Sequence, residues 1–175
     1  MNKKRIESSL KKHLEYIVND IGPRPTGSKN NLKVSEYIYN ELSSSRITTN
    51  KTNFECIDFN AEDVSLILNN KDLTAYINPF SESFFAENQN FLVINNLEEL
   101  QKSTYIKEKI IVLAGELSKE PYFPKNFPFF KYEKHLKIIN LLEQKKPAAL
   151  ICVNHSNDFI NPIFNDADFK IPSIT

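Results

Sequence analysis

The chain has 175 residues, and its 22 lysines and arginines balance its 22 aspartates and glutamates. A net charge of zero argues against nucleic acid or an anionic membrane surface as the partner, so we expect neither. The 13 phenylalanines and 7 tyrosines exclude a disordered chain and predict a folded, aromatic-rich core. The basic N-terminus is not followed by a continuous apolar segment, and no later stretch reaches membrane-spanning length, which predicts a cytoplasmic protein.

Two amphipathic helices are predicted at the N-terminus, over residues 6–21 and about 29–43. Their apolar side chains recur at helical spacing: Ile6, Leu10, Leu14, Ile17, Val18 and Ile21 in the first, and Leu32, Val34, Tyr37, Ile38 and Leu42 in the second. Neither helix is wide enough to cover the whole stripe of the other. We therefore expect a further surface to cover them: the following domain, a second copy, or chain outside this sequence. If a second copy covers the two helices, the chain self-associates through residues 6–42.

Residues 22–28, with the sequence GPRPTGS, separate the two helices. The prolines at 23 and 25 lack the N–H that a continuous helix needs, so the helix must break here. Gly27 allows the chain to turn, and Ser28 is the predicted N-cap of the second helix. Arg24 lies between the prolines, where its guanidinium can either clamp loop carbonyls or meet the carboxylate of a substrate. Both roles stay open at this point.

After the second helix the apolar pattern changes to a period of two, which is typical of strands. Residues 47–59 alternate loosely and predict a strand. Residues 64–68 and 73–77 predict a hairpin around an Asn- and Asp-containing turn at 69–72. A short apolar strand is predicted over 91–94.

The second half of the chain alternates strands with helices. A brief helix is predicted over 95–103 and a longer one over 132–144. Continuous apolar runs at 109–115 and 148–153 predict strands that are buried on both faces. Strand, crossover and strand in this order predict a parallel sheet. The predicted fold class is therefore α/β, with a mixed sheet flanked by helices.

The two cysteines of the chain, Cys56 and Cys152, each lie in an apolar run that predicts a strand. Nothing else in the sequence indicates secretion. We therefore expect both to be buried free thiols in a reducing compartment.

Residues 116–130 combine three prolines with five aromatic side chains. This composition excludes a helix and a free linker, and predicts a packed loop. Phe127 and Phe129 in this loop have two interpretations. They pack into the core, or they form a surface that binds a protein or peptide partner.

Side chains with catalytic or metal-binding chemistry are few. His13 and His135 stand singly on predicted helices, where we expect solvated or half-buried rings. His155 shares its loop with three aspartates, Asp158, Asp166 and Asp168. The spacing matches no compact metal motif, and nucleophile-elbow and phosphate-loop motifs are absent from the sequence. We therefore assign no catalytic and no metal-ligating residue.

The N-terminal segments LEYI (14–17), IGPRPTGS (21–28) and YIYNEL (37–42) resemble the opening of the double-zinc aminopeptidase family, metallopeptidase family twenty-eight. The strands at 109–115 and 148–154 and the IPSI segment at 171–174 are similar to the protease-associated domain that many members insert before their zinc-binding core. The resemblance covers nearly the whole chain, and its GPRPTGS block is the most specific part.

The resemblance implies that residues 1–46 are opening helices of a peptidase domain and that residues 47–175 are a protease-associated-like domain. In that family two zinc ions activate a bridging water for attack on a peptide bond, with a glutamate as general base. No residue here matches those ligands, so the resemblance implies zinc for a longer parent protein and not for this chain. We expect a fragment, inactive alone, that helps to shape the substrate cleft and pairs with a catalytic domain of the same polypeptide. The alternative is a free-standing module that binds a protein or peptide.

Overall fold

The computed structural model describes residues 3–61, 63–156 and 160–175. Helices combine with a two-stranded antiparallel and a four-stranded parallel sheet, which confirms the α/β class. The chain forms two compact units, Met1–Asp58 and Phe59–Thr175. In the described ranges no helix has the length and apolar character needed to cross a bilayer.

The first unit contains helix α1 (Lys3–Glu15), a π-helical turn (Tyr16–Ile21) and helix α2 (Lys29–Ser44). Both helices lie where the apolar periodicity predicts them. The Ser28 hydroxyl accepts a hydrogen bond from the Asn31 N–H at 3.1 Å, so the predicted N-cap is confirmed. The turn between the helices therefore forms from local chemistry alone.

Residues 47–59 form no strand, and that prediction is wrong. A strand needs a neighbour to take its backbone hydrogen bonds, and the described residues supply none beside this segment. The segment instead packs along α2, where Lys51 Nζ lies 2.5 Å from Glu36 Oε1 and 4.6 Å from the centre of the Tyr39 ring. The first compact unit ends at Asp58, and the division of the chain into domains after residue 46 stays a prediction.

The prediction of a buried thiol at Cys56 is also wrong, because this side chain is exposed. Its sulfur lies beside Gly27, whose φ is +86°, and a Cβ placed on Gly27 would lie 3.1 Å from it. The exposed coil around Cys56 thus reaches the turn between the two helices without forming a core of its own.

The second unit begins with a hairpin of β1 (Leu66–Leu68) and β2 (Lys71–Leu73). Asn69 and Asn70 both adopt positive φ, which is the two-residue turn that matches the twist of a hairpin. The predicted hairpin is confirmed, with a tighter turn than the sequence suggests.

The main sheet consists of β3 (Phe91–Ile94), β4 (Ile110–Leu113), β5 (Ala149–Cys152) and β6 (Ser173–Ile174), all parallel and in that spatial order. Helix α3 (Leu97–Lys102) joins β3 to β4, and helix α4 (Glu133–Lys145) lies between β4 and β5. Parallel neighbours require such crossovers, so the predicted parallel unit is confirmed.

The core of this unit lies between the sheet and its two helices. Its members are apolar side chains from the sheet, both helices and the loops: Ile94, Leu100, Ile106, Ile111, Leu113, Leu117, Tyr122, Ile138, Ile139, Leu142, Leu150, Cys152, Ile163, Phe164, Phe169 and Ile171. On β4, Ile111 and Leu113 are buried whereas Ile110 and Val112 are half-buried. Burial on both faces of β4 is therefore not observed, because the described helices cover only one face.

Gly115 joins β4 to a short 3-10 turn (Gly115–Ser118) with φ of +53°. A Cβ at this position would lie 2.8 Å from the carbonyl oxygen of Asn95, which is a backbone atom and cannot rotate away. The chain therefore requires glycine where the end of β4 approaches the end of β3.

Candidate functional site

Arg24 is exposed, and its Nη1 donates hydrogen bonds to the Gly22 carbonyl at 3.1 Å and to the Ile17 carbonyl at 3.5 Å. The Asn30 amide reinforces the same turn by donating to the Ile21 carbonyl at 2.8 Å and to the Pro23 carbonyl at 3.0 Å. These carbonyls belong to the end of the first helix, where intrahelical donors are missing. The observed geometry is that of a clamp on the turn, and Asn30 is a partner that the sequence pattern does not reveal.

The best-formed surface of the second unit is an aromatic patch, made by the rings of Phe123, Phe127, Phe129, Phe130 and Tyr132. Phe123 contacts the rings of Phe127 and Phe130 with centroids 5.6 Å apart in each case. Phe127 also meets Phe129 edge-on at 6.0 Å. Phe129 is 88% exposed, so it projects from the loop and does not enter the core. Both predicted loop residues therefore belong to one surface cluster.

The aromatic patch is anchored from below by Tyr122 and His135, both buried. The Tyr122 hydroxyl donates to the Leu117 carbonyl at 2.6 Å. Burial raises the pKa of this hydroxyl, so it stays protonated at neutral pH. His135 contacts the ring of Tyr122 at 4.8 Å and that of Tyr132 at 4.4 Å, edge-on in both cases. The exposed rings are therefore supported by the buried side chains of Tyr122 and His135.

The prediction that His135 is solvated or half-buried is wrong, since only about 2% of the residue is exposed. Its Nδ1 accepts from the Phe123 N–H at 3.2 Å, and its Nε2 lies 3.2 Å from Glu120 Oε1. Burying an imidazole costs little free energy when both ring nitrogens have hydrogen-bond partners. The helix can therefore place this side chain in the core. The His13 ring is half-buried, as predicted, and contacts the Tyr37 hydroxyl.

The acidic side chains near the aromatic patch tie its loop to the rest of the unit. Asp166 Oδ2 accepts from the Lys125 N–H at 2.8 Å, and Asp168 Oδ2 accepts from the Asn126 amide at 2.6 Å. Lys125 Nζ in turn lies 2.6 Å from Glu143 Oε1 on α4. These carboxylates therefore hold the loop in place, and they do not converge on His155.

His155 follows β5 and meets Ser118, which follows β4, with 2.9 Å between Nε2 and the hydroxyl oxygen. Both groups lie at the carboxyl edge of the parallel sheet, where such folds commonly place their sites. Ser118 is only about 2% exposed, so its hydroxyl is not open to a substrate. Asp158, the third aspartate of the predicted cluster, lies outside the described residues.

The described part of this chain does not fit a zinc centre. Among residues 3–61, 63–156 and 160–175, no group of three or more His, Cys, Asp or Glu side chains is arranged to hold a metal ion. Zinc sites in proteins use three or four such ligands. We therefore derive no catalytic step through zinc within this chain.

A buried polar cluster lies at the end of β6. The Thr175 hydroxyl donates to Asn78 Oδ1 at 2.7 Å, and the Ile163 N–H donates to the same hydroxyl at 3.3 Å. Asn78 is fully buried, and its Nδ2 has no hydrogen-bond partner. Burial raises the pKa of the adjacent Cys152 thiol, which the Asn78 and Thr175 side chains counteract only in part. Cys152 is thus the buried thiol that the sequence predicts, and its burial disfavours the thiolate form.

Comparisons with known proteins return no match of any kind: no family model, no curated protein and no solved structure is similar to the chain at a significant level.

Proposed function

We propose that this chain is the opening segment and accessory domain of a double-zinc aminopeptidase-like protein. In this proposal α1, the π-helical turn and α2 pack against a catalytic domain, and the unit Phe59–Thr175 helps to shape the cleft that receives a peptide. In this proposal the catalytic groups lie in the rest of the polypeptide. The proposal rests on the resemblance of the GPRPTGS turn and its flanking helices, together with one structural observation.

That observation is the exposure of the apolar stripes on both N-terminal helices. The exposed members are Ile6, Leu10, Leu14, Val18, Leu32, Ile38 and Leu42. Isolated apolar side chains on a surface are ordinary, but Ile6, Leu10, Leu14 and Val18 recur every four residues, and Ile38 and Leu42 are also four apart. Exposed apolar side chains that repeat on one helix face are a feature of interfaces. Full burial of such side chains contributes roughly 1.5–3 kcal/mol each. A packing partner for these helices therefore has a large free energy to gain.

The aromatic patch gives the accessory domain a surface for an extended peptide. Exposed, pre-positioned rings bury much area at little entropic cost, and peptide-binding grooves often use them. The anchoring bonds from Asp166 and Asp168 keep the loop in one conformation before a ligand arrives. The patch is therefore where we expect the substrate chain to be contacted.

The experiment compares the native gene product that contains this sequence with the 175-residue chain alone. We expect the native product to contain zinc and to release the N-terminal residue from an aminoacyl-7-amido-4-methylcoumarin, and the chain alone to do neither. A native product that releases no residue with zinc supplied overturns the proposal.

A pair of variants tests the helix packing separately. Leu32→Lys and Asn40→Lys each place a lysine at an exposed position of α2. In the native product Leu32→Lys is expected to lower the free energy of unfolding by ~3 kcal/mol, because it buries a charge, whereas Asn40→Lys is neutral. In the chain alone both are neutral. Equal effects of the two variants in the native product contradict the packing role.

A binding module without catalysis is the second candidate function, and the 88% exposure of Phe129 favours it. Phe85, at 83% exposure, provides a matched control outside the aromatic patch. A peptide library displayed on phage selects ligands for the chain, and Phe129→Ser is expected to weaken the selected peptides by ~10-fold or more. Phe85→Ser leaves their affinity unchanged. Selection of no peptide, or equal losses in both variants, counts against this function.

A further inference from the structure

Strand β3 is an edge of the parallel sheet, and on its outer side no described residue pairs with it. The Ala114 N–H donates to the Ile94 carbonyl at 3.0 Å, so the backbone groups of Ile94 face β4. Because these groups alternate along a strand, those of Leu92 also face β4, and those of Phe91 and Val93 face outward. The outer edge therefore presents two N–H and two C=O groups that are ready to pair.

The sequence around this edge lacks the features that normally prevent pairing. Residues 88–96 read NQNFLVINN, with no charge, proline or glycine, in a chain of which a quarter is charged. Natural edge strands usually carry a lysine, a proline or a bulge that blocks another strand. The side chains of Phe91, Leu92 and Val93 are all exposed. Both the backbone and the side chains of β3 thus suit an extended apolar neighbour.

We propose that β3 pairs antiparallel with β3 of a second copy of this chain, about a two-fold axis at Leu92. In this register Phe91 faces Val93 of the second copy and exchanges both backbone hydrogen bonds with it. Val93 of the first copy pairs in the same way with Phe91 of the second copy, so the two strands form four hydrogen bonds. Leu92 then faces Leu92 of the second copy on the side of the helices. This inference is independent of the proposed peptidase function.

A second copy suits this edge because the stretch is self-complementary in that register. Apolar residues meet apolar residues at Phe91, Leu92 and Val93. Asn90 meets Ile94, Gln89 meets Asn95, and no charge meets another charge within 88–96. Cross-strand pairs of this kind are the unit of sheet stabilisation. A two-fold contact of identical patches closes on itself and gives a dimer.

The opposite edge of the sheet does not offer the same surface. Tyr76 and Thr175 exchange backbone hydrogen bonds at 2.8 Å in both directions, and the Asn78 N–H donates to the Ser173 carbonyl at 3.1 Å. These bonds cover β6 with an antiparallel segment. Pairing through β3 therefore ends at two copies and does not propagate into a fibre.

Sedimentation velocity on the 175-residue chain over a range of concentrations tests the dimer. Val93→Lys adds the missing edge lysine at a half-exposed position, and it is expected to raise the dimer dissociation constant by ~10-fold or more. Leu14→Lys, on the exposed stripe of α1, is the matched control and leaves the dimer intact. Thermal melts confirm that both variants fold. A monomeric wild type, or a dimer lost in Leu14→Lys and kept in Val93→Lys, overturns the proposal.

Cysteine cross-linking tests the register, in a Cys56→Ser background that removes the exposed thiol. Leu92→Cys places two sulfurs across the two-fold axis, where facing residues in such pairs have Cβ atoms about 4.5–5.5 Å apart. Mild oxidation is expected to give a covalent dimer within minutes. Asn90→Cys, two residues away, is expected to cross-link at least tenfold more slowly. If the two variants cross-link at equal rates, the disulfides form by random collision between chains, and the proposed register is refuted.

Discussion

The backbone N–H of Phe123 donates a hydrogen bond to Nδ1 of His135 across 3.2 Å. An N–H cannot accept, so Nδ1 carries no proton and the neutral ring bears its hydrogen on Nε2. That hydrogen points to Glu120 Oε1, 3.2 Å away. One buried side chain thus links the start of α4 to the loop that carries the aromatic patch.

Replacing His135 tests this link. His135→Ala removes the acceptor of the Phe123 N–H and leaves a cavity, so we expect the free energy of unfolding to fall by about 3 kcal/mol. His135→Asn keeps an oxygen near the position of Nδ1 and should lose clearly less. Urea unfolding followed by far-ultraviolet circular dichroism measures both. An alanine variant as stable as the asparagine variant contradicts the role of the hydrogen bond.

Gly115→Ala is expected to destabilise the second unit by about 3 kcal/mol. The added Cβ would lie 2.8 Å from the Asn95 carbonyl oxygen, which also accepts the Glu116 N–H at 2.8 Å, so neither group can move freely. Gly22→Ala is the control, since Gly22 also has positive φ but no atom lies within 4 Å of its Cβ position. Strain alone costs about 1–2 kcal/mol there. Thermal unfolding of the two variants compares these costs, and an equal loss refutes the steric account.

Glu99 gives the fold an acid-sensitive element at the start of α3. The Asn95 N–H donates to its carboxylate at 2.7 Å, and this bond, with amide bonds from Asn95 and Asn96, lowers the pKa of the carboxyl group. A lowered pKa means that the stabilisation is present at neutral pH and is lost as pH falls through the folded pKa, which lies below the usual glutamate value.

Urea midpoints at pH 7 and pH 3 check this dependence. Wild type should exceed Glu99→Gln in stability at pH 7, and the difference should shrink at pH 3. Glu98→Gln is the matched control, because Glu98 forms an exposed ion pair with Lys102 and its loss should make a smaller difference at both pH values.

The two cysteines should differ sharply in reactivity. Cys56 is exposed, whereas Cys152 is buried and its pKa is raised by that burial. We expect a disulfide reagent such as 5,5′-dithiobis(2-nitrobenzoate) to modify one thiol per folded chain within minutes and the second only in denaturant. Cys56→Ser should abolish the fast phase. Fast modification of a Cys56→Ser chain contradicts the burial of Cys152.

Local periodicity was sufficient to predict α2, α4, the β1–β2 hairpin and the parallel strands, because each has a repeating apolar face or a turn with a specific backbone need. It failed for residues 47–59, where the alternation is real but no partner strand is present to use it. Burial of Cys56 was predicted from the same absent strand. Apolar periodicity indicates which face of a segment is suited to burial. It does not indicate whether another segment packs against that face.

The candidate surfaces were harder to predict for the same reason. Phe127 and Phe129 could be singled out by their aromatic neighbours, but their exposure depends on where the loop is tied by Asp166 and Asp168, more than thirty residues away in sequence. The burial of His135 likewise depends on an N–H from Phe123. Asn78, whose Nδ2 has no hydrogen-bond partner in the core, carries no sequence signal that distinguishes it from a turn residue.

The parallel sheet meets helices on one face only, and this has a calorimetric consequence. On the other face Phe91 and Val93 are exposed, and Ile110, Val112 and Ile151 are half-buried. Unfolding this unit therefore adds less apolar surface to water than unfolding a domain with two covered faces. We expect its heat-capacity increment to fall below the usual ~12–15 cal/mol/K per residue. Its stability curve is then flatter with temperature than that of a domain with two covered faces, because the heat-capacity increment sets the curvature.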